Sequence, residues 1–206
     1  MNELVVMFDL EYLSKDEPKG QILDIGIAYG THPSNLQRVV YRPKWQEEGV
    51  VQPSTLKFWA EQNPSQLAMY MDNHQPMSWV ARDLLDFLHM LKGHAKQLKV
   101  GQVVLMSKGI THDLPKLEYH INDYCYDESV NGLGIFESLF GYNCRRDLRS
   151  FKMGRDEKTI KAAREYAEKR ATKIKPEGVL HDAEYDALVQ WFEVYFITTF
   201  ESDTAS

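Results

Sequence analysis

"VVMFDLEYLS", residues 5–14, is the stretch that decides the fold of this 206-residue chain. The apolar run from Val5 to Phe8, continued by Leu10, is typical of a buried strand, and Asp9 and Glu11 lie at its end. Because successive strand side chains alternate between faces, both carboxylates project to one side, about 7 Å apart along the chain. Like charges this close repel each other unless a cation lies between them. In a chain with 30 acidic residues, about one D-x-E arises by chance, so the pair alone does not identify a site.

The composition is that of a soluble globular protein, with 43% hydrophobic and 26% charged residues. We expect one domain over residues 1–200, followed by a polar C-terminal tail at 201–206. The chain lacks an apolar run of transmembrane length, and its first ten residues lack the basic region of a signal peptide. Cys125 and Cys144 are isolated, without C-x-x-C spacing. These cysteines favour a reducing cytoplasm, and the lack of a transmembrane run predicts no membrane association.

The charge of the chain is unevenly distributed. The formal net charge is −6, yet residues 145–175 hold 12 of the 24 Lys and Arg residues and carry a local balance of +7. This segment is either a solvated helical face with i,i+4 ion pairs or a surface for a polyanion.

The order of predicted elements indicates an α/β fold. Three strand-like runs open the chain and predict an antiparallel meander: 3–10, 21–30 and 37–43. Helices are predicted at 53–62, from Pro64 onward, at 77–93 (ended by Gly93), at 113–124, at 156–173 and at 182–197. The apolar run at 102–109 predicts a buried parallel strand. We therefore expect a mixed sheet, antiparallel in its first three strands and then parallel, flanked by helices.

Two later segments carry acids that could meet the first pair. Asp113 follows the end of the buried strand, at the sheet edge where ligands bind in open α/β folds. Asp186 lies in the last helix among Ala183, Ala187 and Leu188, where a core-facing residue is expected. His181 stands at the entrance of that helix. Because an acid on an apolar face requires a cation, the four carboxylates predict an oxygen-rich site suited to Mg²⁺ or Mn²⁺.

Three short motifs carry a resemblance to a known family. "FDLE" on the first strand, "GITHDLP" in mid-chain and "HDAEYDA" near the end resemble the exonuclease motifs of the DEDDh family, the DnaQ-like branch of the ribonuclease H-like fold. "PSTLKFWAEQNPSQ" and "RRDLRS" are similar to a subgroup that contains the T-even phage exonuclease A and the mycobacterial-type exoribonucleases. The resemblance covers nearly the whole chain.

The resemblance implies a role for each of five residues. Asp9, Glu11, Asp113 and Asp186 are expected to hold two divalent cations, Mg²⁺ or Mn²⁺, and His181 is expected to act as the general base. The sister subfamily has Tyr four residues before the last Asp. Position 182 is Asp here, which favours the histidine variant. An aromatic residue commonly precedes the mid-chain Asp, and His112 stands there instead.

The resemblance also implies the reaction. It predicts a 3′–5′ exonuclease that releases nucleoside 5′-monophosphates from the 3′ ends of single-stranded DNA or RNA. The similarity to the phage enzyme favours DNA as the substrate. If the protein is phage-encoded, its expected location is the host cytoplasm. A 3′–5′ exoribonuclease and an inactive nucleic-acid-binding module on the same fold remain the alternatives.

Two groups of residues are predicted to contact the substrate. Trp59 is expected to stack on a terminal base, with core packing of Trp59 or its neighbour Phe58 as the alternative. Cations of the basic segment are expected to guide the strand toward the acidic pocket: Arg145, Arg146, Arg149 and Lys152. Arg146 and Arg149 could equally pair with Asp147 or with the site carboxylates.

Overall fold

The computed structural model describes residues 2–125 and 134–204. Its five strands form one sheet in the order β3-β2-β1-β4-β5. They are β1 (Glu3–Tyr12), β2 (Ile22–Gly30), β3 (Gln37–Tyr41), β4 (Gln102–Ser107) and β5 (Arg145–Asp147). The pairs β1–β2 and β2–β3 are antiparallel, whereas β4 runs parallel to β1 and β5 runs parallel to β4. The predicted mixed sheet is confirmed.

Eight α-helices flank this sheet in the described part of the chain: α1 (Pro53–Gln62), α2 (Pro64–Met71), α3 (Met77–Leu98), α4 (Asp113–Tyr124), α5 (Ile135–Phe140), α6 (Leu148–Lys152), α7 (Glu157–Ile174) and α8 (Ala183–Thr204). The predicted end of α3 at Gly93 is wrong. The helix continues to Leu98 because its buried face extends through Leu91 to Ala95, and it ends at Lys99 in a left-handed conformation with φ 53°. Helix α8 also continues to Thr204, four residues into the predicted polar tail.

The two faces of β1 belong to two different cores. Leu4, Val6, Phe8 and Leu10 pack with residues of α3 and α4. The intervening side chains, including Met7, pack with α7 and α8. Because side chains alternate along a strand, the odd-numbered Asp9 and Glu11 continue the face that α8 covers. The register of one strand therefore directs both carboxylates toward the last helix.

Gly26 allows the start of α8 to touch the sheet. It lies in β2 directly opposite Asp9 of β1. A β-carbon at Gly26 would lie 2.0 Å from the carbonyl oxygen of Ala183, the first residue of α8. The backbone of the helix therefore rests on the backbone of the strand, which brings Asp186 over the end of β1.

We expect Gly26→Ala to lower the free energy of unfolding by about 3 kcal/mol, the upper part of the range for overpacking, because the clash is with backbone that cannot rotate away. Gly93→Ala is the matched control. Its added β-carbon meets nothing within 4 Å, and alanine is favoured over glycine inside a helix by about 1 kcal/mol. Urea denaturation should therefore show changes of opposite sign in the free energy of unfolding for the two variants. Equal effects would contradict the close approach at Gly26.

Candidate active site

The five predicted catalytic residues line one cleft of about 300 Å³ at the ends of β1 and β4. Asp9 and Glu11 come from β1, Asp113 is the first residue of α4, and Asp186 comes from the first turns of α8. His181 lies in the loop before α8. All five residues lie in the cleft, although they are separated by up to 177 positions in the chain.

Three of these side chains approach each other closely enough to share an ion. One ligand atom each from Glu11, His181 and Asp186 lies within 4.8 Å of the other two. Nδ1 of His181 is 3.8 Å from Oε1 of Glu11. Glu11 and Asp113 are 8% and 6% exposed, so their carboxylates have lost most of their hydration. Such a group of buried acids requires compensation by positive charge.

The loop before α8 holds His181 in an uncommon backbone conformation. Its φ of 65° is left-handed, which costs energy for a residue with a β-carbon. Three hydrogen bonds maintain it. The His181 amide donates to Oδ2 of Asp186 over 3.1 Å, and its carbonyl accepts from the Tyr70 hydroxyl over 2.9 Å and from the Gln66 side chain. The imidazole is thereby fixed beside the acids.

The electrostatics of the cleft show how strongly the acids resist ionisation together. Burial raises the pKa of Asp9, Glu11 and Asp186, and burial raises the pKa of Asp113 to about 7. For Asp9 the second cause is repulsion from Asp186, and for Glu11 it is repulsion from Asp9. The buried Lys116 opposes the shift at Asp113. The cleft is an acidic pocket that favours any added cation.

The donor set fits a divalent cation of the hard type. Carboxylate oxygens dominate it, as Mg²⁺ and Mn²⁺ prefer, and the imidazole is the single nitrogen donor among the five residues. The carboxylates that could hold such a cation are those of Asp9, Glu11, Asp113 and Asp186.

Comparison with known proteins identifies the family. A family model described as the 3′–5′ exoribonuclease Rv2179c-like domain matches residues 5–198. The chain belongs to this family. The family membership that the three motifs predict is confirmed. No curated protein matches the chain.

Solved structures of exonuclease I share the fold of this Rv2179c-like chain. One is E. coli exonuclease I in complex with a dA16 oligonucleotide, with 12% identity and a TM-score of 0.56 over 96% of this chain and 41% of that one. An apo exonuclease I gives 12% identity and 0.55 over 97% and 42%. Exonuclease I from Methylocaldum szegediense gives 10% and 0.51 over 90% and 38%. The chain thus spans about two fifths of these proteins' length, and at this identity the likeness concerns the fold.

Two of the predicted substrate-binding arginines of this exonuclease-family chain lie outside the cleft. Arg145 forms ion pairs with Glu118 at 2.8 Å and Glu137 at 2.6 Å, and Arg146 pairs with Glu3 at 2.7 Å. Both belong to β5, so their side chains hold the sheet edge to its neighbours. Both arginines therefore lie in ion pairs away from the cleft, and their guiding role stays a prediction.

Arg149 is the predicted arginine that does reach the cleft. It is exposed and lines the pocket together with three cations that the sequence analysis did not single out: Lys15, Lys108 and Arg164. Lys152 instead pairs with Glu193 at 2.6 Å. His112 also lines the cleft, where burial, together with Lys116 and Lys15, lowers its pKa. The positive rim is therefore assembled from several elements rather than from the basic segment alone.

Both rings of the aromatic pair line the cleft, but the exposed ring is that of Phe58 and not that of Trp59, for which base stacking was expected. Trp59 is 2% exposed, and its indole donates to the carbonyl of Tyr12 over 3.3 Å. Phe58 is 41% exposed. Both rings contact the imidazole of His181 edge to face, at centroid distances of 5.4 Å for Phe58 and 5.9 Å for Trp59. Trp59 supports the histidine from below, and Phe58 is the ring available at the surface.

The sequence analysis missed Gln190. It lies on α8 four residues after Asp186, lines the cleft, and donates from Nε2 to Oδ1 of Asp9 over 2.5 Å. The signal was present, because residues four apart share one helix face. A polar residue on the face of Asp186 therefore had to point toward the same strand end.

We expect the stabilisation of the protein by Mg²⁺ to grow between about pH 5 and pH 8. In the metal-free protein the raised pKa values mean that the folded state holds protons which the unfolded state releases at about pH 4. The contribution of these carboxyls to the stability of the fold is therefore present below that pH. It is lost as the pH rises through the pKa values of the folded state, which for Asp113 is about 7. Thermal unfolding with Mg²⁺ and with chelator should diverge across this range. An equal Mg²⁺ shift at both ends would contradict the clustering.

Proposed function

We propose that the protein hydrolyses single-stranded RNA from its 3′ end and releases nucleoside 5′-monophosphates, using divalent cations held by four carboxylates. The observation that carries the proposal is the convergence of Asp9, Glu11, Asp113 and Asp186 with His181 in one cleft. Buried acids without paired cations destabilise a fold, so their retention together supports a binding role over a structural one.

The carboxylates supply the sites for two cations, Mg²⁺ or Mn²⁺. When bound, such a pair supplies an activated water and stabilises the leaving 3′ oxygen of the scissile phosphate. The carboxylates themselves bind and orient the cations. Because Glu11 and Asp113 are buried, the surrounding protein keeps their oxygens from moving to other partners, which preserves the geometry between turnovers.

His181 is the group proposed to take a proton from the attacking water. Its main chain is clamped by Asp186 and Tyr70, and its ring is held edge to face against Phe58 and Trp59. A base held in this way enters the reaction without loss of rotational freedom, and histidine is the side chain that most often serves as a general base. The proposed proton acceptor therefore belongs to the loop, while the proposed metal ligands belong to β1, α4 and α8.

The rim of the cleft is proposed to bind the strand. Phe58 offers an exposed ring beside His181, on which the base of the 3′-terminal nucleotide can stack. Lys108 and Arg149 border the same cleft and can neutralise backbone phosphates, whereas Arg164, which also lines it, pairs with Glu168 at 2.6 Å. This assigns the base-stacking role that the sequence analysis gave to Trp59 to its exposed neighbour.

RNA is proposed as the substrate because the family that spans residues 5–198 is described as an exoribonuclease domain. The sequence analysis favoured DNA. DNA is kept as the second candidate because the chain shares the fold of an exonuclease I solved with a dA16 oligonucleotide. A fold similarity at 12% identity carries less weight for substrate choice than a family match along the chain.

Matched single strands of RNA and DNA, labelled at the 5′ end, test the proposal directly. With Mg²⁺ we expect the RNA to shorten stepwise from its 3′ end, with 5′-monophosphates as products, and we expect chelator to stop the reaction. Faster digestion of DNA would replace RNA as the substrate. Binding without any shortening would support the inactive module.

Two variants in the same assay separate the roles of the ligands and the base. Asp186→Asn should abolish both turnover and the Mg²⁺-dependent rise in melting temperature, because a ligand charge is lost. His181→Ala should reduce turnover by roughly 10²–10⁴ and retain most of that rise. If His181→Ala keeps its activity, the histidine assignment is wrong while the metal site stands.

Arg149→Gln is expected to weaken strand binding at every sequence and to lower the slope of log affinity against log salt by about 0.7, the value for one phosphate contact on a single strand. Arg146→Gln is the matched control from the same basic segment. Its charge is paired with Glu3, so the salt slope should stay that of the wild type. Equal slopes for both variants in filter-binding titrations would show that Arg149 makes no phosphate contact.

A further inference from the structure

Gln190 contacts the candidate metal site without offering a carboxylate to it. We propose that Gln190 is a positioning residue that holds Asp9 in the orientation that binds the divalent cation, and thereby sets the affinity of the protein for that cation. This inference rests on the proposed function, since it concerns the same metal site.

The hydrogen bond between Gln190 and the ionised form of Asp9, which is the form that binds a cation, has one polarity. A carboxylate ion only accepts, so the amide must turn its NH₂ group toward Oδ1 of Asp9. Nε2 of Gln190 lies 2.5 Å from Oδ1 of Asp9. Gln190 is 4% exposed, so water does not compete for this contact.

The same orientation leaves the other end of the amide unsatisfied. Oε1 of Gln190 is buried and accepts no hydrogen bond within the described residues. A residue that only filled space would be better apolar, as its neighbours Val189 and Trp191 are, because a buried oxygen without a partner lowers stability. The amide is therefore best explained by its contact with Asp9.

The orientation of the Asp9 carboxylate matters because this group can rotate and is surrounded by other carboxylates of the same charge. Asp9 lies partly exposed at the end of β1, and Asp186 and Asp113 repel it. Without a donor its carboxylate would rotate away from them. Gln190 lies one helical turn beyond Asp186 on α8, so one helix face both supplies a ligand and orients another. Partners that orient metal ligands in this way typically change metal affinity 10- to 100-fold when removed.

Gln190→Met and Gln190→Asn test the inference with Mg²⁺ alone as the probe. Methionine keeps the length and removes the donor, whereas asparagine keeps the amide but is one methylene too short to make the contact. For both variants we expect the Mg²⁺ concentration at half-maximal thermal stabilisation to rise about 10- to 100-fold. The melting temperature of Gln190→Met in chelator should equal or exceed that of the wild type, because the unsatisfied oxygen is gone.

Gln102→Met is the matched control. Gln102 also donates from Nε2, to the carbonyl of Asn143 over 2.9 Å, at the opposite end of β4. Its half-maximal Mg²⁺ concentration should match the wild type. The inference is overturned if either folded Gln190 variant keeps the wild-type Mg²⁺ concentration, whatever its stability in chelator. If the wild type itself shows no Mg²⁺ stabilisation, the proposed metal site fails, and the inference fails with it.

Discussion

The contact between the backbones of Gly26 and Ala183 is the constraint on which the site depends. Helix α8 supplies Asp186 and Gln190, and the loop before it supplies His181. These groups meet the strand carboxylates only because the missing side chain at Gly26 lets the helix start rest on β2. A side chain there would separate the two halves of the cleft by the width of a methyl group, which is comparable to a metal–ligand distance.

The cleft holds its four acids close together although their charges repel each other. Four acids share a partly dehydrated space, and the cations of the rim stand at its edge rather than among them. Lys116 is the buried exception. Its ammonium group donates to the carbonyl of Lys15 over 2.6 Å and lies 4.6 Å from the ring centroid of Tyr12. One internal cation therefore moderates the repulsion at Asp113, while the remaining charge is left for ligands.

The sequence predicted what depends on local periodicity and missed what depends on contacts between distant segments. Strand alternation placed Asp9 and Glu11 on one face, and motif order placed Asp186 and His181 at one helix start, so the fold and the acids were predictable. The pairing of Arg145 with Glu118 and Glu137 joins three elements whose proximity no local pattern encodes. The same holds for the adjacent residues Trp59 and Phe58. Only the packing of α1 on the His181 loop decides which of the two rings is exposed.

Phe58 touches His181 on one side and faces solvent on the other. A base stacked on its free face would press on the ring that supports the imidazole. Purines and pyrimidines differ in ring area, so they would shift the Phe58 ring to different positions and displace the imidazole by different amounts. The identity of the terminal nucleotide would then be read out as a difference in chemical rate rather than in affinity. If the proposed stacking holds, a single phenylalanine would couple the composition of the strand to the rate at which it is degraded.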